Sequence, residues 1–313
     1  MKDNMTGQNF AQKKIVWLAS YPKSGNTWFR AFLTALLGDG NIDINKMEAD
    51  CVFSSRSIFD AATDMDSTCL YDAEIKNLLP DVFTYVSSVC QRSHLFVKIH
   101  DAYTKNTNDV AIVPEQPTLC ALYFIRSPLD VAASFAHHNA STIDQRIALM
   151  NNPHGVLTKI KGKDGEVNTK NWIEQLLLSW SGHVKSWTDN PEVPFPVLVV
   201  RYEDMLNEQF NTFSNAAKFI GLEKTPGEIK NAIDASHFEK LKQQENEKGF
   251  AQKNPRSESF FRSGKSGGWK HELTVQQILS LVDNHGEMMQ KYGYEIPDIA
   301  LLPENENRTQ KEL

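Results

Sequence analysis

Short apolar runs recur along the chain, separated by longer segments of mixed composition. Runs of this length that are rich in β-branched and aromatic residues predict buried strands. Four such runs lie at residues 15–20, 95–100, 118–126 and 195–205.

Segments between these runs carry apolar residues at helical spacing. After the first run they are Trp28, Phe32, Leu33, Leu36 and Leu37. Gly38 marks a stop for this helix. A second helix is predicted from about Asp130, after Ser127 and Pro128 break the third run, and a third over residues 171–188. Strands that alternate with helices predict an α/β fold with a central parallel sheet flanked by helices.

The chain is expected to form one domain over residues 1–313, because α/β folds often reach this length as a single unit. Its polar ends, 1–13 and 302–313, are expected to be disordered. Residues 151–170 combine glycines and lysines with little apolar periodicity, and this pattern predicts a mobile loop.

Composition narrows the classes of function. Hydrophobic residues make up 41%, and 33 basic against 39 acidic residues give a net charge of −6. This balance provides no basic field for nucleic acid. The four cysteines show neither metal-ligand spacing nor a disulfide framework. No apolar stretch reaches the length of a membrane span, so we expect a soluble, cytoplasmic protein.

The first candidate site is YPKSGNTW, residues 21–28, between the first predicted strand and helix. Unpaired backbone N–H groups and the helix dipole favour an anion there. Gly25 lets the chain approach a ligand, Lys23 adds a charge, and Ser24 and Thr27 add hydroxyl donors. The lysine precedes the glycine, unlike the nucleoside-triphosphate loop GxxxxGK[ST]. The segment therefore predicts a phosphate or sulfate site.

Two further segments carry groups that suit anions. In FIRSPLDVAASF, residues 124–135, Arg126 ends a strand and Ser134 lies two turns into the next helix, so both can hold one phosphate. In FFRSGKSGGWKHELT, residues 260–274, glycines stand among cationic residues and predict a loop that wraps an anion.

Together these segments resemble the motifs of sulfotransferases that use 3′-phosphoadenosine 5′-phosphosulfate (PAPS). The usual family forms are YPKSGTTW, for which Asn26 replaces one threonine, and RKGxxGDWK. In the second motif the matching residues are Arg262, Gly264, Gly267, Trp269 and Lys270. Ser263 and Gly268 stand where the family has lysine and aspartate, which predicts weaker PAPS binding or a contact moved to Lys265. Lys98 and His100 in LFVKIH resemble the family's KxH signature.

The resemblance implies a P-loop-containing NTP hydrolase-like fold, PAPS as co-substrate and no metal. Lys23, Ser24, Gly25, Asn26 and Thr27 would then hold the 5′-phosphosulfate, and Arg126 and Ser134 the 3′-phosphate. The other expected nucleotide contacts are Trp28, Tyr202, Ser236, Phe238, Arg262, Ser263 and Gly264.

Sulfuryl transfer needs a base and charge neutralisation. His100 is the predicted general base, since a neutral imidazole suits neutral pH. Lys23 and Lys98 are the predicted cations for the bridging and sulfuryl oxygens, and the loops would align the in-line displacement.

Two alternatives are weighed against this hypothesis. A small-molecule kinase would need a magnesium-binding carboxylate and a lysine after the loop glycine, and neither is evident. A non-catalytic nucleotide-binding relative would lack the base or the lysines, which are present.

The acceptor is expected to be a small molecule with a hydroxyl or amine, and its identity stays open. Candidate lining segments are 51–60, 71–85, 137–170 and 240–261. The aromatic candidates in or near these segments are Phe53, Phe59, Phe83, Tyr103, His137, His138 and Phe250. A homodimer is also left open.

Overall fold

The computed structural model describes residues 13–47, 51–157 and 172–298. The strands are β1 (Ile15–Ser20), β2 (Cys51–Val52), β3 (Leu95–Ile99), β4 (Thr118–Ile125), β5 (Val156–Leu157), β6 (Gln175–Leu176) and β7 (Val197–Arg201). Five of them form one parallel sheet in the order β2-β3-β1-β4-β7, while β5 and β6 form a short antiparallel pair.

Helices follow most of the strands. They are α1 (Asn26–Leu37), α2 (Arg56–Thr63), α3 (Asp72–Val89), α4 (Pro128–Asn139), α5 (Ile143–Asn151), α6 (Trp180–Thr188), α7 (Tyr202–Asn207), α8 (Gln209–Phe219), α9 (Pro226–Ala235), α10 (Phe238–Lys248), α11 (Trp269–Glu272) and α12 (Val275–Lys291). The predicted α/β class with a central parallel sheet is confirmed, and so are strands within each of the four apolar runs.

Two predicted elements end or begin elsewhere than their patterns indicate. The fourth run stops being a strand at Arg201, and the chain turns directly into α7. The helix predicted over 171–188 is wrong in its first half, since helix α6 begins only at Trp180, capped by the Ser179 side chain. Before it, Ile173 donates its backbone N–H to Ser54, and Leu176 donates its own to the Asp101 carboxylate. These extended-chain bonds satisfy the backbone in place of helical ones.

Residue parity divides the core between the two faces of the sheet. Ile15, Trp17 and Ala19 pack into one buried cluster, whereas Val16 and Leu18 pack into the other. Both faces of β1 are therefore buried, as parallel sheets covered by helices on each side require.

Strand register brings the carboxyl ends of the strands to one edge. Ala19 pairs with Ile99, Ser20 with Phe124, and Ile125 with Arg201. The residues that follow each strand therefore emerge side by side. Ligands of open α/β sheets bind at this edge.

Some of the sequence predictions concern residues outside the described ranges. Within the predicted loop 151–170, Asn151 ends α5 and Val156–Leu157 form β5, while 158–170 lie outside the described residues. The predicted tails, apart from Lys13, lie outside them as well. Over residues 13–47, 51–157 and 172–298, no helix is long and apolar enough to cross a bilayer.

Candidate active site

A cavity of about 1000 Å³ opens at the carboxyl edge of the sheet. Its wall contains most of the residues predicted to act on a ligand: Lys23, Gly25, Asn26, Thr27, Trp28, Lys98, His100, Arg126, Ser134, Tyr202, Phe238, Arg262, Ser263 and Gly264. The structure thus brings the three predicted anion segments and the predicted base together in one space. Ser24 and Ser236 do not line it.

The loop between β1 and α1 is held in an uncommon backbone conformation. Lys23 has φ of 70° and Gly25 has φ of 101°. A Cβ on Gly25 would lie 2.7 Å from Met205 Cε and 2.8 Å from the Tyr202 ring, so only glycine fits here. Positive φ at a lysine stores strain of the kind found at ligand sites.

Neighbouring polar groups of this loop face inward. Ser24 is buried and its hydroxyl has no hydrogen-bond partner. The Asn26 side-chain amide donates to the Leu18 carbonyl at 2.8 Å and to Ser20 Oγ at 3.3 Å. Asn26 therefore ties the start of α1 to β1, a positioning contact that its expected ligand role does not include.

Arg126 connects three of the predicted segments. Its guanidinium donates to the Lys23 carbonyl at 3.4 Å and to the Lys265 carbonyl at 3.0 Å, and it lies 4.2 Å from the centre of the Tyr202 ring. Its Nε is buried without a partner. The pairing fixes the arginine between the first and third anion segments.

Two carboxylates missed by the sequence analysis anchor the third anion segment. Asp130 accepts hydrogen bonds from the Gly267 and Trp269 backbone N–H groups and from the Ser266 hydroxyl. Glu245 accepts the backbone N–H groups of residues 260 and 261, at 2.6 and 2.8 Å. Asp130 stands in the first turn of α4, a common place for an acidic residue, so its sequence context gave no signal of this second role.

The departures from the family motif have structural counterparts. Gly268 stands where the family has aspartate, and a Cβ there would lie 3.6 Å from Glu272 Oε1. The Glu272 carboxylate accepts hydrogen bonds from Arg262 at 2.8 Å and His137 at 2.6 Å. The Glu272 carboxylate therefore lies close to the position at which the family has an aspartate side chain.

Aromatic side chains form the wall at which adenine was expected. Trp28 donates its Nε1 proton to the Ser236 carbonyl and packs edge-on against Tyr202. Phe238 covers Gly264, at which an added Cβ would lie 2.5 Å from the ring. The Ser236 hydroxyl instead donates to the Ala232 carbonyl within its own helix, so only its backbone faces this group.

The tautomer of His100 is set by the neighbouring strand. Its Nδ1 lies 2.8 Å from the Ser20 carbonyl oxygen, which can only accept, so Nδ1 carries the proton. The Nε2 of the neutral ring is then free to take a proton. Burial and the charge of Lys98 hold the pKa of His100 well below its usual value, which keeps it neutral.

A second histidine supports the first from behind. His183 donates from Nε2 to the His100 carbonyl at 3.0 Å, and its Nδ1 accepts from the Tyr123 hydroxyl at 2.7 Å. His183 and Tyr123 are both fully buried. This chain fixes the backbone of the predicted base.

The two predicted catalytic lysines share a low-polarity, positively charged setting. Burial, with the charge of Arg126, lowers the pKa of Lys23 to about 7. Burial, with the charges of Arg30 and Lys23, lowers the pKa of Lys98 to about 7. Since both ammonium groups lack a counter-charge strong enough to offset burial, an anionic ligand would restore their charged form.

The remaining cavity wall runs along α4, α5 and the β5–β6 pair. Its apolar members are Val52, Phe135, Leu149, Val156, Leu157 and Ile173. Of the aromatic candidates, Phe53, Phe59, Phe83 and Tyr103 instead belong to the core, Phe250 belongs to a cluster beneath α10, and His137 pairs with Glu272. His138 does line the cavity.

An α/β fold with cations and a histidine in a cavity at the carboxyl edge of its sheet is typical of enzymes that transfer groups from anionic donors. The family model for the sulfotransferase domain matches residues 13–293, and the chain belongs to this family of sulfuryl-transferring enzymes.

Curated relatives extend over most of the chain. Flavonol 3-sulfotransferase of Flaveria bidentis is 26% identical over an alignment of 289 residues, which covers 87% of this chain and 82% of that protein. Amine sulfotransferase of Oryctolagus cuniculus is 22% identical over an alignment of 268 residues, which covers 84% of this chain and 76% of that protein.

Solved structures share the fold. A mouse sulfotransferase complexed with PAP (adenosine 3′,5′-bisphosphate) has a TM-score of 0.56 at 19% identity. The alignment covers 90% of this chain and 86% of the mouse chain. Retinol dehydratase in complex with androsterone and PAP has a TM-score of 0.57 at 17% identity, covering 92% and 85%. The predicted family, P-loop-like fold and enzyme class are confirmed.

Replacing Gly25 by alanine should destabilise the loop between β1 and α1 and weaken ligand binding there. The positive φ and the overlap with Met205 and Tyr202 should lower the free energy of unfolding by about 1–3 kcal/mol and weaken nucleotide binding at least about tenfold. Denaturant titration and calorimetry measure the two effects. Gly40→Ala is the control, since Gly40 also has positive φ, of 85°, but open space around it. Equal behaviour of the two variants would show that close packing at Gly25 is unimportant.

Proposed function

We propose that this sulfotransferase moves the sulfuryl group of PAPS to a hydroxyl or amine of a small-molecule acceptor, with His100 as the general base. The observation that carries the proposal is the convergence of His100, Lys98 and the loop 21–28 on one cavity. The names of the relatives, which specify flavonols and an amine, support an acceptor of this size.

The cavity residues fit a nucleotide with phosphate groups at both ends of its ribose. Arg126 and Ser134 both line the cavity, and the Arg126 Nε is buried without a hydrogen-bond partner. Arg126 and Ser134 would hold the 3′-phosphate, and the loop 21–28 the 5′-phosphosulfate. When bound, PAPS supplies an activated sulfuryl group and a bisphosphate leaving group.

The side chains then have distinct tasks. His100 Nε2 accepts the proton of the acceptor hydroxyl, because Nδ1 is already committed to the Ser20 carbonyl. Lys23 and Lys98 place positive charge beside the anion site, where little water screens it. The rigid loops bring these groups to one place before reaction.

Over residues 13–47, 51–157 and 172–298, no group of three or more His, Cys, Asp or Glu side chains is arranged to hold a metal ion. A kinase is not favoured, because the family is that of sulfotransferases. A cytoplasmic location is part of the proposal, and the homodimer stays a prediction.

Calorimetric titration with adenosine 3′,5′-bisphosphate (PAP), the nucleotide left after sulfuryl transfer, tests the donor. PAP should bind at micromolar or lower concentration and much more tightly than 5′-AMP. Arg126→Ala should weaken PAP binding by about 2–4 kcal/mol, as expected for a lost charged hydrogen-bond partner. Equal binding of the two nucleotides would contradict the proposed 3′-phosphate site.

Binding of PAP should also take up protons. Lys23 and Lys98 have pKa values of about 7, and a bound anion raises them. Affinity should therefore fall as the pH rises from about 7 to about 9, when free lysines lose their protons. Calorimetry at about pH 7.5 in two buffers of different ionisation enthalpy measures the uptake. Lys98→Met should reduce it, whereas a pH-independent affinity without uptake would contradict the lysine assignment.

Substitution of His100 by alanine should lower kcat by about 10²–10⁴, the usual contribution of a general base. PAP affinity should stay within about twofold, since the ring is assigned to the acceptor proton. Turnover with an acceptor found by screening with PAPS, together with PAP titration, measures both. Turnover like that of the unmodified enzyme would remove His100 from the mechanism.

A further inference from the structure

One wall of the cavity, at the end of α4 and the start of α5, contains buried polar atoms without partners. They are Nδ1 of His138, Oγ of Ser141 and Nε of Arg146, and all three residues line the cavity. Buried polar atoms in folded proteins nearly always have a hydrogen-bond partner. Several unsatisfied atoms on one cavity wall therefore indicate a ligand that brings the partners.

Arg146 is the charged member of this wall. Its guanidinium carbon lies 5.2 Å from the centre of the Phe135 ring, and no carboxylate among the described residues pairs with it. An unpaired guanidinium that is partly buried is costly, and an anion offsets that cost. Burial accordingly lowers the pKa of Arg146.

Most other cations of the cavity belong to the nucleotide end. Lys23, Arg126, Arg262 and Lys265 lie in the predicted anion segments, and Lys98 adjoins the predicted base. Arg256, an exposed residue, lines the cavity from the segment that precedes the third anion segment. Arg146 stands on α5, outside every segment assigned to PAPS. Of the two cavity cations outside those segments, Arg146 and Arg256, Arg146 is the one on the wall with the unpartnered buried atoms.

Acidic side chains do not balance Arg146 from the cavity wall. Among the described residues that line the cavity, the one carboxylate is Glu239, which follows Phe238 at the predicted adenine wall. The same part of the cavity wall has apolar residues, among them Phe135, Leu149 and Leu157. An apolar body with one anionic group matches these surfaces.

We infer that the acceptor is a hydroxyl- or amine-bearing molecule with an apolar body and an anionic oxo group, which pairs with Arg146 and accepts a hydrogen bond from the Ser141 hydroxyl. The anionic group is a carboxylate, phosphate or sulfate, since all three offer oxygens that match the planar donors of an arginine. Arg146 thereby selects the acceptor at a distance from the reacting hydroxyl. The inference rests on the proposed function, because it assigns this wall to the acceptor.

The test compares acids with their neutral analogues. The probes are 3-(4-hydroxyphenyl)propanoate, 12-hydroxydodecanoate and 4-hydroxyphenyl phosphate, with the matching amides and the methyl-capped phosphate triester. Binding to the protein saturated with PAP is measured by calorimetry, and kcat/KM with PAPS by turnover. At least one acid should exceed its neutral analogue about tenfold or more, as one charged hydrogen bond gives.

Variants locate the preference. Arg146→Gln should abolish the preference for acids, whereas Arg146→Lys, which keeps the charge, should retain part of it. Lys218→Gln is the matched control, since it removes one positive charge from the exposed end of α8, away from the cavity, and should leave the preference unchanged. Comparison of the carboxylate and phosphate probes distinguishes the anionic groups. If Arg146→Gln fails to fold, Ser141→Ala and Arg146→Lys provide the comparison.

Outcomes separate the two proposals. Failure of the unmodified protein to bind PAP would contradict the proposed function itself. Normal PAP binding, with neutral analogues equal to or better than every acid, or with no acid bound at all, would overturn the role of Arg146. A preference for acids that persists in Arg146→Gln would overturn it as well.

Discussion

The Arg126 guanidinium is the contact on which the geometry of the cavity depends. It accepts no hydrogen bond and can only donate, and two of the groups that it reaches are main-chain carbonyls, those of Lys23 and Lys265. These carbonyls belong to loops more than 200 residues apart in the chain. The ring of Tyr202, the residue that follows β7, lies against the guanidinium. One side chain thereby connects two loops with the start of α7.

Three carboxylates around this site bind groups of the protein itself. Asp130 and Glu245 each accept backbone N–H groups of the segment that follows residue 259, and Glu272 pairs with Arg262. The charged side chains that line the cavity are cations except for Glu239, and burial together with their mutual repulsion lowers the pKa of both lysines. The division is physically consistent: anions stabilise the loops from outside, and the interior is left electropositive for a phosphate-bearing molecule.

Much of this arrangement could be predicted from the sequence, because its signals are local. Strand β1 and the loop 21–25 are contiguous, and the parity of Lys98 and His100 places both on one face of β3. The tertiary role of Asp130 could not be predicted, since a first-turn acid is usual in any helix. The helical pattern of 171–188 failed because backbone bonds from Ile173 and Leu176 to distant residues prevailed over local spacing. Likewise, Arg146 lies in no motif, and only the folded cavity shows that it lacks a partner.

The bond between His100 and the Ser20 carbonyl has a consequence for how the enzyme can vary. The protonation pattern of the imidazole is dictated by main-chain atoms of an adjacent strand, and those atoms are present whatever side chain residue 20 bears. What matters is alignment: Ala19 opposite Ile99 sets the position of the next residue in each strand. The tautomer of His100 thus depends on strand alignment and not on the side chain at residue 20. A one-residue insertion in either strand would shift this alignment and break the bond between His100 and the Ser20 carbonyl, although every cavity side chain would remain in the sequence.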